Sequence, residues 1–193
     1  MMKEGVQRRL PVVLPRHTDE LLSSWITRHA AFYNVPPLIM LQHCLPEVSS
    51  LRAADLQLTC GQEIRLANMF ATERDAVRRM TFTNVAQSSH RLIAARPTQV
   101  CTSCSLGHME PESILRSQLL GWRITCPLCG DPLRDADCRE LPSPFQQYRS
   151  TALRGEKLLD DEAELRTETW TSRAEIARLP LMRRVPRPFA REH

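Results

Sequence analysis

Aromatic residues are scarce in this chain: five Phe, three Trp and two Tyr amount to 5% of 193 residues, and only six glycines accompany them. A sheet-rich sandwich draws heavily on both, for its strands and for its tight turns. Their shortage predicts a fold that is mainly α. No apolar run approaches the roughly 18 residues of a membrane span, so none is expected. The opening MMKEGVQRRLPVVLPRHTDE carries basic residues without the apolar centre of a signal peptide, which predicts a cytoplasmic protein with reduced thiols. The Gly-x-x-x-x-Gly-Lys phosphate loop is missing, and Ser23, Ser24 and His29 lie close in sequence without a nucleophile elbow or a supporting acid. The literal Asp160-Asp161-Glu162 is no transposase triad either. Adjacent helical residues point about 100° apart and cannot share a metal pair in that way, so these acids are expected on a solvated helix face. The chain is not expected to be an enzyme.

What is present is an ordinary globular composition, 42% hydrophobic and 25% charged, with a net charge of +4. That mild basicity permits nucleic-acid contact without requiring it. Three segments are expected: a helical, helix-turn-helix-like region over 1–96, a small zinc ribbon over 97–141, and a linker, amphipathic helix and basic tail over 142–193. In the first, Thr18-Asp19-Glu20 reads as a helix start. Leu21, Leu22, Trp25, Ile26, Ala30 and Tyr33 follow at helical spacing. Asn34 suits a left-handed turn, and Pro36 and Pro37 open a second helix with Leu38, Ile39, Leu41 and Leu45 as its apolar side. A second helix pair is expected from Glu63 to Phe70 and after Thr72, which with Asp75 forms a weak capping box. Val77 and Met80 should then pack inward, with Arg74, Arg78 and Arg79 outward. Cys44 and Cys60 read as core residues.

Four of the seven cysteines form two Cys-x-x-Cys pairs, Cys101/Cys104 and Cys126/Cys129, separated by 21 residues. A thioredoxin-like redox pair would need an alternating β/α pattern, and disulfides would need an oxidising compartment. The spacing instead matches a tetrathiolate zinc ribbon, in which each knuckle turns two sulfurs toward one point and the site is closed and structural. Gly130 fits the tight turn after the second pair. His108 is expected at the surface, and Cys138 as an idle thiol.

Two stretches resemble the TniQ family, relatives of the TnsD target-selection proteins of bacterial transposons. One is LPRHTDELLSSWITRHAAFYNVPP, where Ser24, Trp25, Arg28 and Ala30 match the family's opening motif. The other is the Cys101/Cys104 pair followed by Arg116, Trp122 and TCPLCGDPL. The later cysteine pair of longer relatives is incomplete here, since Leu141 stands where a mate for Cys138 would be, so one zinc ion is expected. The resemblance implies a non-catalytic adaptor in a bacterial cytoplasm. It would recruit a transposition machinery to DNA, or to a complex that marks the target, and contact an AAA+ transposition regulator. A zinc-stabilised helix-turn-helix regulator and a pure protein-interaction module are the alternatives.

The helix PPLIMLQHC offers only Gln42 and His43 as polar readers, and packing is its expected role. Phosphate contacts are expected instead from Arg74, Arg78, Arg79, Arg91 and Arg96, and from tail residues Arg183, Arg184, Arg187 and Arg191. The sequence leaves the oligomeric state open.

Overall fold

Thr18 does not open the first helix. In the computed structural model, which describes residues 9–105, 113–136 and 146–165, α1 runs Leu22–Phe32 with Leu21 as an uncapped N-cap. Asp19 adopts a left-handed φ of 61°, and residues 19–21 turn toward residues 114–117 instead. The Asp19 carbonyl accepts from the Arg116 amide (2.8 Å), its carboxylate accepts from the Ser117 amide (3.0 Å), and the Leu21 amide donates to the Ile114 carbonyl (2.9 Å). Residues 19–21 are thereby stitched to the approach of the second cysteine pair.

The rest of the helical region follows from its apolar spacing. Asn34 takes the expected left-handed φ of 53°, and α2 (Pro37–Cys44) starts on Pro37. Its buried side is Met40, Leu41 and Cys44, with Leu45 beyond it, whereas Leu38 is 37% and Ile39 55% exposed. The apolar face is thus rotated from the expected one, because α2 contains apolar residues all round and packing, not periodicity, chose among them. Next come α3 (Leu51–Leu56), α4 (Cys60–Met69) and α5 (Arg74–Arg79). The capping box forms one helix earlier than expected. Thr59 Oγ1 accepts from the Gln62 amide (3.3 Å) while Gln62 returns the bond to the Thr59 amide (2.8 Å). The Thr72 amide closes the end of α4 on the Ala67 carbonyl (2.9 Å), next to Ala71 at φ 46°, and α5 takes Glu73, not Thr72, as its N-cap, without a side-chain cap bond.

These five helices share one core around Trp25, Phe70, Leu22, Ile26, Leu41 and Leu66. Each such side chain contributes about 1.5–3 kcal/mol of burial. Trp25 and Phe70 rings lie 4.7 Å apart, and His29 meets both edge-on at 4.8 Å. His29 is fully buried and structural: Nδ1 bonds the Trp25 carbonyl (2.8 Å), and Nε2 accepts from the Leu14 amide (2.9 Å). Burial holds its pKa down, which keeps that accepting nitrogen bare. Val77 and Met80 pack inward as expected. Cys44 is core, and burial pushes its thiol up to about 11. Cys60 is not core: it is exposed at the first position of α4, and Arg74 Nη1 lies 3.3 Å from its sulfur.

A second core joins residues from all three described stretches. Leu21, Phe82, Val85 and Ile93 meet Leu119, Leu120 and Trp122, and α7 (Arg149–Leu165) adds Leu159 and Ala163. Gly121 is required where it stands, since a Cβ there would sit 2.9 Å from the Leu92 carbonyl that its amide bonds. Among the described residues no helix is long and apolar enough to cross a membrane.

Asp55 of α3 ties the helices together from the inside. It is 3% exposed; Oδ1 accepts from the Ser23 amide (2.9 Å), and its carbonyl accepts from the Phe82 amide (2.7 Å). Desolvation raises its carboxyl from 3.8 to about 6. A folded pKa above the unfolded one means that this group's favourable contribution is full below pH 3.8 and lost as pH rises through about 6. Asp55→Asn keeps the accepting oxygen and removes the buried charge. It is expected to raise stability at pH 7–8 by up to about 3 kcal/mol. The gain should shrink on acidification toward pH 4; thermal melts at pH 8 and pH 4.5 showing equal effects would refute this account.

Candidate metal centre

Two short strands bring the cysteine pairs together. β1 (Gln99–Val100) lies antiparallel to β2 (Arg134–Asp135), Gln99 opposite Asp135 and Val100 opposite Arg134. Gln99 is buried and anchors this ladder, donating to the carbonyls of Ser117 (2.7 Å) and Leu120 (3.0 Å). Cys101 follows β1 directly and turns through α6 (Thr102–Ser105). The Ser105 amide (3.0 Å) and Oγ (2.8 Å) both bond the Cys101 carbonyl there. The second turn is closed by Gly130, whose amide bonds the Cys126 carbonyl (2.9 Å) and whose φ of 79° needs a residue without a side chain. Its base is held by Cys126 N–H to Asp131 (2.7 Å) and Leu133 N–H to Ile124 (2.8 Å). A hydrogen bond from Ser103 Oγ to the Asp131 carboxylate links one turn to the other.

The four sulfurs of Cys101, Cys104, Cys126 and Cys129 lie within 4.8 Å of one another. Two of the contacts join opposite turns, Cys101 to Cys129 at 3.5 Å and Cys104 to Cys126 at 3.7 Å. A disulfide requires about 2.05 Å, so these cysteines are not cross-linked. A tetrahedron with bonds of about 2.3 Å has edges of about 3.8 Å, close to these two distances. The donor set therefore fits a metal ion held by four thiolates. The thiols also show why they call for a cation. Burial works against ionising Cys101, but the Cys104 amide and the neighbouring thiols outweigh it and draw its proton off more easily than usual. Desolvation and the other sulfurs then push Cys104 up. Four thiolates can coexist only around a positive charge.

α7 grips the approach to the second turn through acids four residues apart. Glu156 is 5% exposed and accepts from the Thr125 hydroxyl (2.7 Å) and from the amides of Thr125 (3.2 Å) and Ile124 (3.3 Å). Asp160 accepts from Trp122 Nε1 (2.7 Å) and pairs with Arg123 (2.9 Å), and Glu164 pairs with Arg116 (2.7 Å). The Arg116 guanidinium also lies 5.1 Å over the Phe82 ring. Asp160 is thus not on a solvated face, as the sequence suggested; the one-face spacing of Glu156, Asp160 and Glu164 was the available signal. Burial raises its pKa, and Trp122 and Arg123 oppose that shift.

Ser24, Trp25 and Arg28, the residues that carry the resemblance in the first stretch, form a positioning network. Glu20 is fully buried and accepts from Arg28 Nε (2.9 Å) and Nη2 (3.2 Å), the His17 amide (2.9 Å) and Ser24 Oγ (3.3 Å). Ser24 Oγ in turn accepts from the Ile114 amide (2.9 Å), and Trp25 Nε1 donates to the Leu14 carbonyl (3.0 Å).

The basic candidates are less uniform than expected. Arg74 and Arg78 both approach the buried Glu63 (3.8 Å each), so part of their charge is offset. Arg79, Arg91 and Arg96 are exposed. His108, Cys138, Arg183, Arg184, Arg187 and Arg191 lie outside the described residues. Compared with protein-family models, curated proteins and solved structures, the chain matches none.

Proposed function

We propose that this chain is a zinc-stabilised, non-catalytic adaptor of the TniQ type, which helps recruit a transposition machinery to its target. The observation that carries the reading is the four-sulfur cluster joined to the Ser-Trp opening through Ser24 and Ile114. Both halves of the resemblance thereby belong to one packed unit. Zinc is the natural occupant: a tetrathiolate with no open position is a structural zinc donor set, and the hairpin of two turns around it would be a zinc ribbon. In this reading the metal holds a recruiting surface rigid and takes no part in chemistry. The helix pairs α1–α2 and α4–α5, each joined through a left-handed residue, would serve as helix-turn-helix-like units. Arg79, Arg91 and Arg96, with the basic tail, would supply phosphate contacts, and an AAA+ regulator would be met on another face.

The deciding test is a reconstituted transposition reaction containing a transposase and an AAA+ regulator, run with and without this chain. Omitting the chain should abolish targeted insertion while leaving the regulator's ATPase intact; unchanged targeting would defeat the proposal. The DNA side has its own readout. Truncating residues 180–193 should flatten the slope of log affinity against log salt by nearly one for each phosphate that the tail neutralises. An unchanged slope would remove the tail from the interface.

A further inference from the structure

Asp131 stands two residues beyond Cys129 and bonds at three points around the four sulfurs. Its carbonyl accepts from the Cys126 amide (2.7 Å), and its own amide donates to the Cys129 sulfur. Its carboxylate accepts from the hydroxyl of Ser103, which lies between Cys101 and Cys104. The backbone of Asp131 thus engages both cysteines of its own turn, while the side chain reaches across to the other turn. Other ties between the turns are few. β1 and β2 pair over two residue pairs, before Cys101 and after Leu133, and the Thr125–Pro132 bridge lies within the second turn. The ladder therefore fastens the turns at their base. Among the described residues, Ser103 to Asp131 is the one hydrogen bond that joins the turns themselves outside the sulfur cluster.

A hydrogen bond to an ionised acceptor is stronger than a neutral one, and hydrogen bonds behind metal ligands decide how well those ligands are held. Four sulfurs already complete a tetrahedral donor set, so the carboxylate is not needed as a ligand and is taken up by Ser103. Resting on the reading of the cysteines as a metal site, we infer that Asp131 is its positioning residue. By holding Ser103 it fixes the first turn against the second and keeps Cys101 and Cys104 at ligand distance from Cys126 and Cys129. Without that bond the first turn is tied to the second only through the short ladder, and an ion held by the four thiolates is released more readily.

Competition for zinc between the full-length chain and a chromophoric chelator tests this, with the absorption of the cobalt-loaded chain as a second readout. Asp131→Ala should weaken zinc binding about 10–100-fold and change the sulfur-to-cobalt bands, while the helical circular dichroism of the chain is kept. Ser103→Ala should weaken it by a similar factor. The double variant should lose no more than Asp131→Ala by itself, because the two side chains share one bond. Asp131→Asn, whose amide oxygen still accepts from Ser103, should recover most of the affinity. Equal zinc affinity in the native chain and Asp131→Ala would overturn this role and leave the metal reading standing. Additive losses in the double variant, or an Asp131→Asn chain as weak as Asp131→Ala, would do the same. A native chain that binds neither zinc nor cobalt would overturn both.

Discussion

Cys126→Ser should leave the chain without metal. Purified under reducing conditions, the native protein is expected to carry one zinc ion per chain, and the variant none. The ligand count explains the size of the effect. Zinc in tetrathiolate and related finger peptides contributes roughly 10–16 kcal/mol at neutral pH, and binding of that order is folding energy where little else orders the segment. Here the hairpin has only two short strands, and its ladder contains two residue pairs. Without the ion, neutral or half-ionised thiols would crowd within 4.8 Å with nothing to draw them together. Amide signals from residues 99–105 and 124–135 should therefore lose their dispersion, while those of α1 to α4, packed around Trp25 and Phe70, persist. Elemental analysis showing no zinc in the native chain would refute the site. A value near two would point to a second one involving Cys138.

The second large effect is expected at Glu20. Its carboxylate has no exposure and receives Arg28, Ser24 and the His17 amide. Removing one member of a buried ion pair strands the other, at a cost of about 3–5 kcal/mol. Glu20→Ala should accordingly lower the melting temperature by about 10 °C in a domain of this size. Glu20→Gln should be milder, since it keeps an acceptor for Ser24 and His17. The double variant Glu20→Gln, Arg28→Met tests the mechanism, because taking away both charges should recover part of the loss. If Glu20→Ala melts within a degree or two of the native chain, the pair is not holding the opening motif to the Ile114 segment.

How much of this was legible in the sequence depends on which forces decide each element. The α1 face, the left-handed Asn34 and the Pro37 start follow from local rules, and all three are present in the structure. The convergence of the four cysteines was legible because two Cys-x-x-Cys pairs carry the spacing that a tetrathiolate site would impose on a chain. The start of α1 was not legible: Asp19 is drawn out of helical geometry by residues 116 and 117, nearly a hundred positions away. The capping box was misplaced for a related reason. Thr59 has Gln62 three residues on and Thr72 has only the weaker Asp75, and because α5 starts at Arg74 behind Glu73, only the first pair stands in register to cap. Cys60 illustrates a further limit, since helical surroundings do not say which side of a helix faces solvent.

The grip of Glu156 on Ile124 and Thr125 reaches within one residue of Cys126. Whatever free energy an ion bound by the four cysteines lent to that segment would be shared with α7, and linkage would make the exchange symmetric. A chain deprived of α7 would retain its metal less tightly by the same factor by which the metal fastens the helix. Occupancy of the four-cysteine site by an ion and seating of a helix some twenty residues downstream would thus be coupled, each strengthening the other.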